Sequence, residues 1–250
     1  METILITGGT GLLGRLFVKY FADLGYQVFF TTTSERRGEE LVFSARKGSD
    51  VRAIVADLMS PRGVVDIVKF LKEEDVSVNH LVNNARSMSS LNTNQLGLTE
   101  RDDFASELML DVIIPYELSI GIGSSNRGSL KTITNISSIY GIVATNPSLY
   151  DASVQQSPIQ YSVAKAALIH LTKELSVRMA SDFVRVNCIA YGGVQGRVND
   201  DFKSRYAQLC PAGRMLSGED IVGPLSFFVD DASSGCNGHT LVVDGGWSIW

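Results

Sequence analysis

In the stretch SPIQYSVAKAALIHL, residues 157–171, a tyrosine and a lysine stand four positions apart. On a helix, residues i and i+4 lie one above the other, so Tyr161 and Lys165 present a phenol and an ammonium to one place. A phenol ionises near pH 10, and an adjacent cation stabilises its anion; the pair has the makings of a proton donor and acceptor. The local sequence predicts a helix here, with Ser157 as N-cap, Pro158 at the first helical position and Gln160 closing a Ser-x-x-Gln capping box. Ala164, Leu168 and Leu171 supply packing surface. Taken alone the pair reads as a surface contact, and chemistry requires a fold that gathers other groups around it.

Such a fold begins at the first residues. ETILITGGTGLLGRLFVKYFADLGYQVFFTTT reads as a short apolar strand, a glycine-rich turn, an amphipathic helix to about Leu24 and a second strand around Val28 to Thr31. Gly8, Gly11 and Gly14 let the backbone turn tightly and approach a pyrophosphate, whose charge the free N–H groups of a helix start favour. Thr7 and Thr10 help to hold the turn. Further strands are predicted at VRAIVADL, VNHLVNNA, SLKTITNISS and VRVNCIA, separated by helical patterns near 61–74, 100–123 and 158–180. That alternation predicts an α/β fold: a single Rossmann-type, doubly wound parallel sheet with helices on both faces. Asp57, Asn83, Asn84, Ser137 and Ser138 then fall at carboxyl ends of strands, where such sheets bind dinucleotides.

The composition sets bounds. With 250 residues, 44% of them hydrophobic, and no linker or repeat, the chain is expected to fold as one domain over 1–250. A formal charge of −5 without a basic block argues against nucleic acid and for a small-molecule substrate. Cys188, Cys210 and Cys236 and the three histidines are widely spaced, so neither a disulfide framework nor a metal site is expected. The apolar start lacks the pattern of a signal peptide or a membrane span, and the expected setting is cytoplasmic.

With these residues in view, the sequence resembles the short-chain dehydrogenase/reductase family over essentially its whole length. The resemblance rests on TGGTGLLG after the first strand, ADL at 56–58, NNA at 83–85, NISS at 135–138, YSVAK at 161–165, VRVNCIA followed by GG, and VVDGGW near the end. It implies that Tyr161 is the acid/base, that Lys165 stabilises the phenolate and holds the nicotinamide ribose, and that Ser138 binds the substrate oxygen. Asp111 takes the helix position of the family's relay asparagine when DVIIPYEL is aligned on its proline; a small shift would put Ile113 there. The same resemblance implies a cofactor lying along Gly8, Thr10, Gly11, Leu12, Leu13 and Gly14, past Asp57, Leu58, Asn84 and Ala85, to Tyr161, Lys165, Gly192 and Val194. The second strand runs into TTTSERRG without the acidic residue that would hold an adenosine ribose. NADP is therefore the expected cofactor, with Thr33, Ser34 and Arg36 or Arg37 around its 2′-phosphate, and NAD is the alternative.

The departures from the family pattern are as informative. The glycine spacing is that of the family's extended members, NNAG reads NNAR with Arg86, the proline before GG is Tyr191, and the hydroxyl usual after that turn is replaced around Gly196. Arg86 is expected either in solvent or beside an anionic substrate group. Ser138 and Tyr161 lie 23 positions apart, a longer separation than the family's usual one, and the added segment TNPSLYDASVQQSPIQ is expected as a loop beside the reactive carbon. In this segment, in SSIYGIV and in AALIHLTK the chain is similar to flagellin-modification dehydrogenases. The expected reaction interconverts a secondary alcohol and a ketone on a sugar-derived or other polar metabolite. A 3-oxoacyl-thioester reductase and a non-catalytic dinucleotide-binding protein are the alternatives. The family further implies a homo-oligomer, dimer or tetramer.

Overall fold

A computed structural model describes residues 1–126, 128–196 and 198–250. Seven strands, β1 (Thr3–Ile6), β2 (Gln27–Thr32), β3 (Val51–Val55), β4 (His80–Asn83), β5 (Thr132–Ser138), β6 (Arg185–Tyr191) and β7 (Thr240–Val243), form one sheet in the order β3-β2-β1-β4-β5-β6-β7. Every neighbouring pair is parallel. The helices between them are α1 (Gly14–Asp23), α2 (Glu35–Phe43), α3 (Gly63–Glu73), α4 (Arg101–Leu108), α5 (Ile114–Ser125), α6 (Ser153–Gln156), α7 (Ile159–Arg178), α8 (Asp200–Leu209) and α9 (Glu219–Val229). This is the doubly wound architecture the alternation predicts.

Successive side chains of a strand point to opposite faces, and both faces are apolar here. Ile4 and Ile6 of β1 with Val28 and Phe30 of β2 join one core under α1 and α9. Leu5 and Phe29 between them enter the other core, under α3, α5 and α7. Strand order reverses between β1 and β4, and there the carboxyl ends part into a crevice. Thr7 braces its floor: its hydroxyl reaches the Val82 carbonyl at 3.3 Å and accepts from the Asn84 and Ala85 amides at 2.9 and 2.8 Å.

The crevice depends on close backbone approach. Gly8 has φ +66°, and a Cβ there would sit 2.7 Å from the Ala85 Cα. At Gly14, the first residue of α1, a Cβ would overlap the carbonyl oxygen of Gly8; at Gly63, the first residue of α3, it would overlap that of Asp57. Both helices thus start pressed against the turn that leaves the preceding strand.

Between α4 and α5 the chain makes one π-helical turn, Met109–Ile113. Pro115 has no N–H to return to the Asp111 carbonyl, so the ladder of hydrogen bonds slips by one residue there, with Ile114 N–H bonding the Met109 carbonyl. Leu110, Asp111 and Ile114 face inward as a result.

The capping box expected at 157–160 does not form. α7 starts at Ile159 with Pro158 as N-cap and without a side-chain cap. Ser157 instead donates to the Ser153 carbonyl at the end of α6. Gln160 is fully buried; its amide donates to the Ser90 carbonyl at 2.7 Å and its oxygen accepts from Thr99 at 2.6 Å. Pinning the distant 90–99 segment replaces capping of its own helix. The added segment before it is likewise not an unstructured loop, since it forms a 3₁₀ turn at Pro147–Leu149 and then α6.

Gly63→Ala is expected to destabilise the fold. Alanine gains up to about 1 kcal/mol of helix preference over glycine, but overpacking against backbone costs about 1–3 kcal/mol. A melting temperature several degrees below the parent's in thermal unfolding is the expected result, and an unchanged or higher one counts against this packing.

Candidate active site

Lys165 sits in the second turn of α7 with its side chain 6% exposed, and its charge dictates its surroundings. Its ammonium donates to Asp111 Oδ1 at 3.0 Å and to the Ile136 carbonyl at 3.1 Å. The π turn is what carries Asp111, 2% exposed, to this place, while Ile113 faces outward at 41% exposure. Of the two aligned candidates, Asp111 is the one that meets Lys165. Asp111 Oδ2 and Asn83 Oδ1 have no protein partner among the described residues. Both side chains line a cavity of about 10 Å³ together with Thr7 and Lys165, a volume on the scale of one water molecule.

The carboxyl end of β5 lies directly against this part of α7. Ser137 donates to the Lys165 carbonyl at 3.0 Å, and Gly141 packs on the Lys165 backbone closely enough that a Cβ would clash. Ser138 ends the strand and accepts from the Tyr140 amide at 3.2 Å. Tyr161 is half-buried, with its ring edge-to-face against Tyr140 at 6.5 Å between centroids. The structure thus brings Ser138, Tyr161, Lys165 and Asp111 into one neighbourhood at the carboxyl edge of the sheet.

Arg86 follows Ala85 at the end of β4. Its guanidinium lies over the face of Tyr161, 4.2 Å from the ring centroid, while the Lys165 ammonium is 5.8 Å from the same point. The phenol therefore has a cation on its face and another towards the interior, a contact that sequence spacing could not reveal. Glu107, also missed in sequence, is 1% exposed nearby; burial pushes its carboxyl above the usual range, partly offset by the Ser90 hydroxyl, which donates to it at 2.6 Å.

The crevice fits a dinucleotide. Among the described residues, the amides of Leu12, Leu13 and Gly14 at the start of α1 have no protein acceptor, and no acidic side chain stands in the first turn. Such a helix start attracts a pyrophosphate. The hydroxyls of Thr10 and Thr32 meet at 3.1 Å across the turn. Arg15, absent from the sequence-level set, lays its guanidinium on the Thr10 and Gly11 carbonyls at 3.2 and 3.3 Å. Thr33 is exposed, Ser34 caps α2, and Arg36 is largely in solvent beside Glu40 at 3.6 Å. Asp57 is exposed and accepts from the Met59 amide, whereas the Leu58 side chain belongs to the core. Asn84 donates to the Thr7 carbonyl at 2.8 Å. Gly192 donates to Val243, Val194 bridges to Leu216, and Gly196 approaches Leu12, so the segment after β6 borders the glycine turn. Tyr191, standing where the family has proline, is buried and donates to the Ile221 carbonyl at 2.5 Å.

A dinucleotide crevice with a serine, a tyrosine and a buried lysine at its edge defines the class of NAD(P)-dependent oxidoreductases. A family model described as Enoyl-(Acyl carrier protein) reductase matches residues 12–248. The chain belongs to the short-chain dehydrogenase/reductase family. It is 38% identical to post-translational flagellin modification protein A of Campylobacter coli over 123 residues, 49% of this chain and 48% of that protein. With the 3-oxoacyl-acyl-carrier-protein reductase FabG of Chlamydia pneumoniae it shares 28% identity over 98% of this chain and 96% of that one. A short chain dehydrogenase from Leptospira borgpetersenii with bound NAD+ superimposes with a TM-score of 0.86 at 26% identity, covering 99% of this chain and 92% of that one. The protein is an NAD(P)-dependent oxidoreductase acting on CH–OH groups.

Removing Asp111 leaves a buried ammonium with one carbonyl partner. Asp111→Ala is expected to cost about 3–5 kcal/mol, as for other broken buried pairs. Asp111→Asn, which still accepts a hydrogen bond, should cost clearly less. Urea unfolding of both variants checks the order; equal midpoints would remove the ion pair from the framework of the site.

Proposed function

We propose that the protein interconverts a secondary alcohol and a ketone on a sugar-derived or other polar metabolite, with Tyr161 as the acid/base. The single observation that carries this reading is the assembly of Ser138, Tyr161 and Lys165 around the end of β5, at the edge where the glycine turn opens. When bound, the nicotinamide supplies or takes the hydride. Tyr161 gives its hydroxyl proton to the carbonyl oxygen in reduction and takes it back in oxidation. Ser138 donates a hydrogen bond to that oxygen as it gains charge. Lys165, held by Asp111 and Ile136, stabilises the phenolate and reaches the cofactor ribose. Gly8, Gly11, Leu12, Leu13 and Gly14 take the pyrophosphate, Asp57 the adenine side, and Asn84, Ala85, Gly192 and Val194 flank the nicotinamide half.

A polar substrate is favoured by the wall opposite. Tyr140 and Tyr150 bring their hydroxyls to 3.0 Å, and Asp151 stands beyond them in contact with Arg205 at 2.9 Å. An acyl chain calls for an apolar groove instead. The likeness to FabG across nearly the whole chain favours a second reading, reduction of a 3-oxoacyl thioester. Residues 1–250 are read as one dinucleotide-binding domain, working in the cytoplasm, where the three unpaired cysteines stay reduced. Met109, Ile113, Tyr116 and Ile120 form an exposed apolar stripe along the helix Arg101–Ser125 and support a homo-oligomer, dimer or tetramer, buried along that helix.

Tyr161→Phe should lower turnover at least ~10²-fold with cofactor affinity nearly intact, since general acid–base assistance is commonly worth that much. Following nicotinamide absorbance with polyols, sugars and ketoacyl thioesters tests this and separates the two substrate readings. Near-parental turnover by the variant overturns the role of Tyr161.

NADP is the expected cofactor. No carboxylate stands in Thr31–Ser34 to repel a 2′-phosphate. Thr33, Ser34 and Arg36 or Arg37, at the start of α2, take that group, with Arg15 of α1 on the Thr10 and Gly11 carbonyls as a further cation by the glycine turn. Fluorescence titration should show NADPH binding several-fold more tightly than NADH, and the preference should shrink in Arg15→Ala. Tighter binding of NADH reverses the assignment.

A further inference from the structure

Arg86 stands out among the cations near the site. Its side chain is exposed, and the guanidinium stacks on Tyr161, yet among the described residues it has no carboxylate within ion-pair distance and no hydrogen-bond acceptor. Lys165, by contrast, is paired with Asp111 and also donates to the Ile136 carbonyl. Glu107 does not neutralise Arg86, for it is buried, bonded to Ser90 and not within bridging distance. A planar fork of N–H donors is thus held by a ring face, at the mouth of the crevice, beside the hydroxyl that exchanges the proton.

We infer that Arg86 is a specificity-determining residue that receives an anionic group of the substrate, a carboxylate or a phosphate monoester, placed a few bonds from the reacting carbinol. This rests on the alcohol–ketone reading and narrows its substrate class. Stacking fixes the plane of the guanidinium and leaves its edge free, and such an edge matches two oxygens of a carboxylate or phosphate. The ring that orients Arg86 belongs to the proton donor, so an anion on the fork and a carbonyl on Tyr161 and Ser138 are positioned against one another. A neutral substrate would leave these donors to water and gain nothing from them, and an acyl chain would have to pass an exposed charge. Farther along the same segment Ser87 and Ser89 pair their hydroxyls at 2.8 Å, on either side of the exposed Met88.

The test compares pairs of ketones that differ by the charged group alone, such as a ketose phosphate against its ketose and a 3-oxo acid against its methyl ester. The parent should prefer the anionic member in kcat/KM. Arg86→Gln should reduce that preference by roughly ten- to a hundredfold, the scale of a charged hydrogen bond, chiefly through KM of the anionic member. Arg86→Lys, which keeps charge but not the fork, should fall between. A role confined to Tyr161 would lower both members equally and leave the ratio unchanged, and that result overturns the inference while the alcohol–ketone reading stands. Absence of turnover with every pair and either cofactor overturns that reading itself. Calorimetric titration of malonate and inorganic phosphate into the NADP-loaded protein needs no turnover. Binding should weaken at least ~10-fold in Arg86→Gln, and equal binding to parent and variant overturns the anion site.

Discussion

A buried ammonium without partners is not tolerated, and the arrangement around Lys165 follows from that single constraint. Three elements meet to satisfy it. The helix Arg101–Ser125 yields its regular ladder at Pro115 and turns Asp111 inward. β5 offers the Ile136 carbonyl two residues before its end. The segment after β5 crosses α7 at Gly141, where the absence of a side chain lets it lie on the Lys165 backbone. Ser138 ends β5 and Tyr161 stands one turn before Lys165 on α7, so the packing that satisfies the charge also sets where the two hydroxyls stand.

Much of this was legible in the sequence because it rests on patterns that tertiary context rarely overrides. Strand runs that are apolar on both faces announce a covered parallel sheet, and Gly8, Gly11 and Gly14 follow the first of them at a helix start, where a backbone can meet a pyrophosphate. The inward turn of Asp111 was legible as far as its proline. Pro115 was an anchor for alignment, and its missing N–H is also the physical cause of the π turn that decides between Asp111 and Ile113. The capping box failed for a different reason. Ser157 and Gln160 satisfy a local rule, but each finds a stronger demand elsewhere, Gln160 in the buried carbonyls of the 90–99 segment and Ser157 in the end of α6. The stacking of Arg86 was beyond reach, since sequence places its Cα at the end of β4 and says nothing of where seven side-chain atoms turn.

The added segment between Ser138 and Tyr161 is built as a wall, not a lid. Leu149 is fully buried, and its carbonyl accepts from Arg205 at 3.0 Å. Thr93 donates to the Gln155 carbonyl at 2.8 Å and Gln155 donates to that of Gln95 at 3.2 Å, tying α6 to the segment that follows β4. Behind it Tyr206 stacks on Trp247, and Tyr140 meets Trp247 edge-to-face. Two long connections that would each be loose alone hold one another, with Gln160 as the common latch. The shape offered to a substrate is therefore largely set before it arrives, and the ordering entropy that a mobile loop would lose on binding has been met in folding.

The charges around Tyr161 divide the labour in a way that bears on selectivity. Asp111 balances Lys165 in the interior, so the pair adds little net field at the mouth of the crevice, where Arg86 has no carboxylate within ion-pair distance among the described residues. The chain as a whole carries −5, which gives anions no long-range attraction, and beyond about 8 Å salt screens what field there is. Any preference for a charged substrate must then come from direct contact. Contact depends on the plane of the guanidinium and its distance from the phenol, both fixed by the Tyr161 ring. Selectivity of this kind discriminates by where the anion sits relative to the reacting carbon, and not by charge alone.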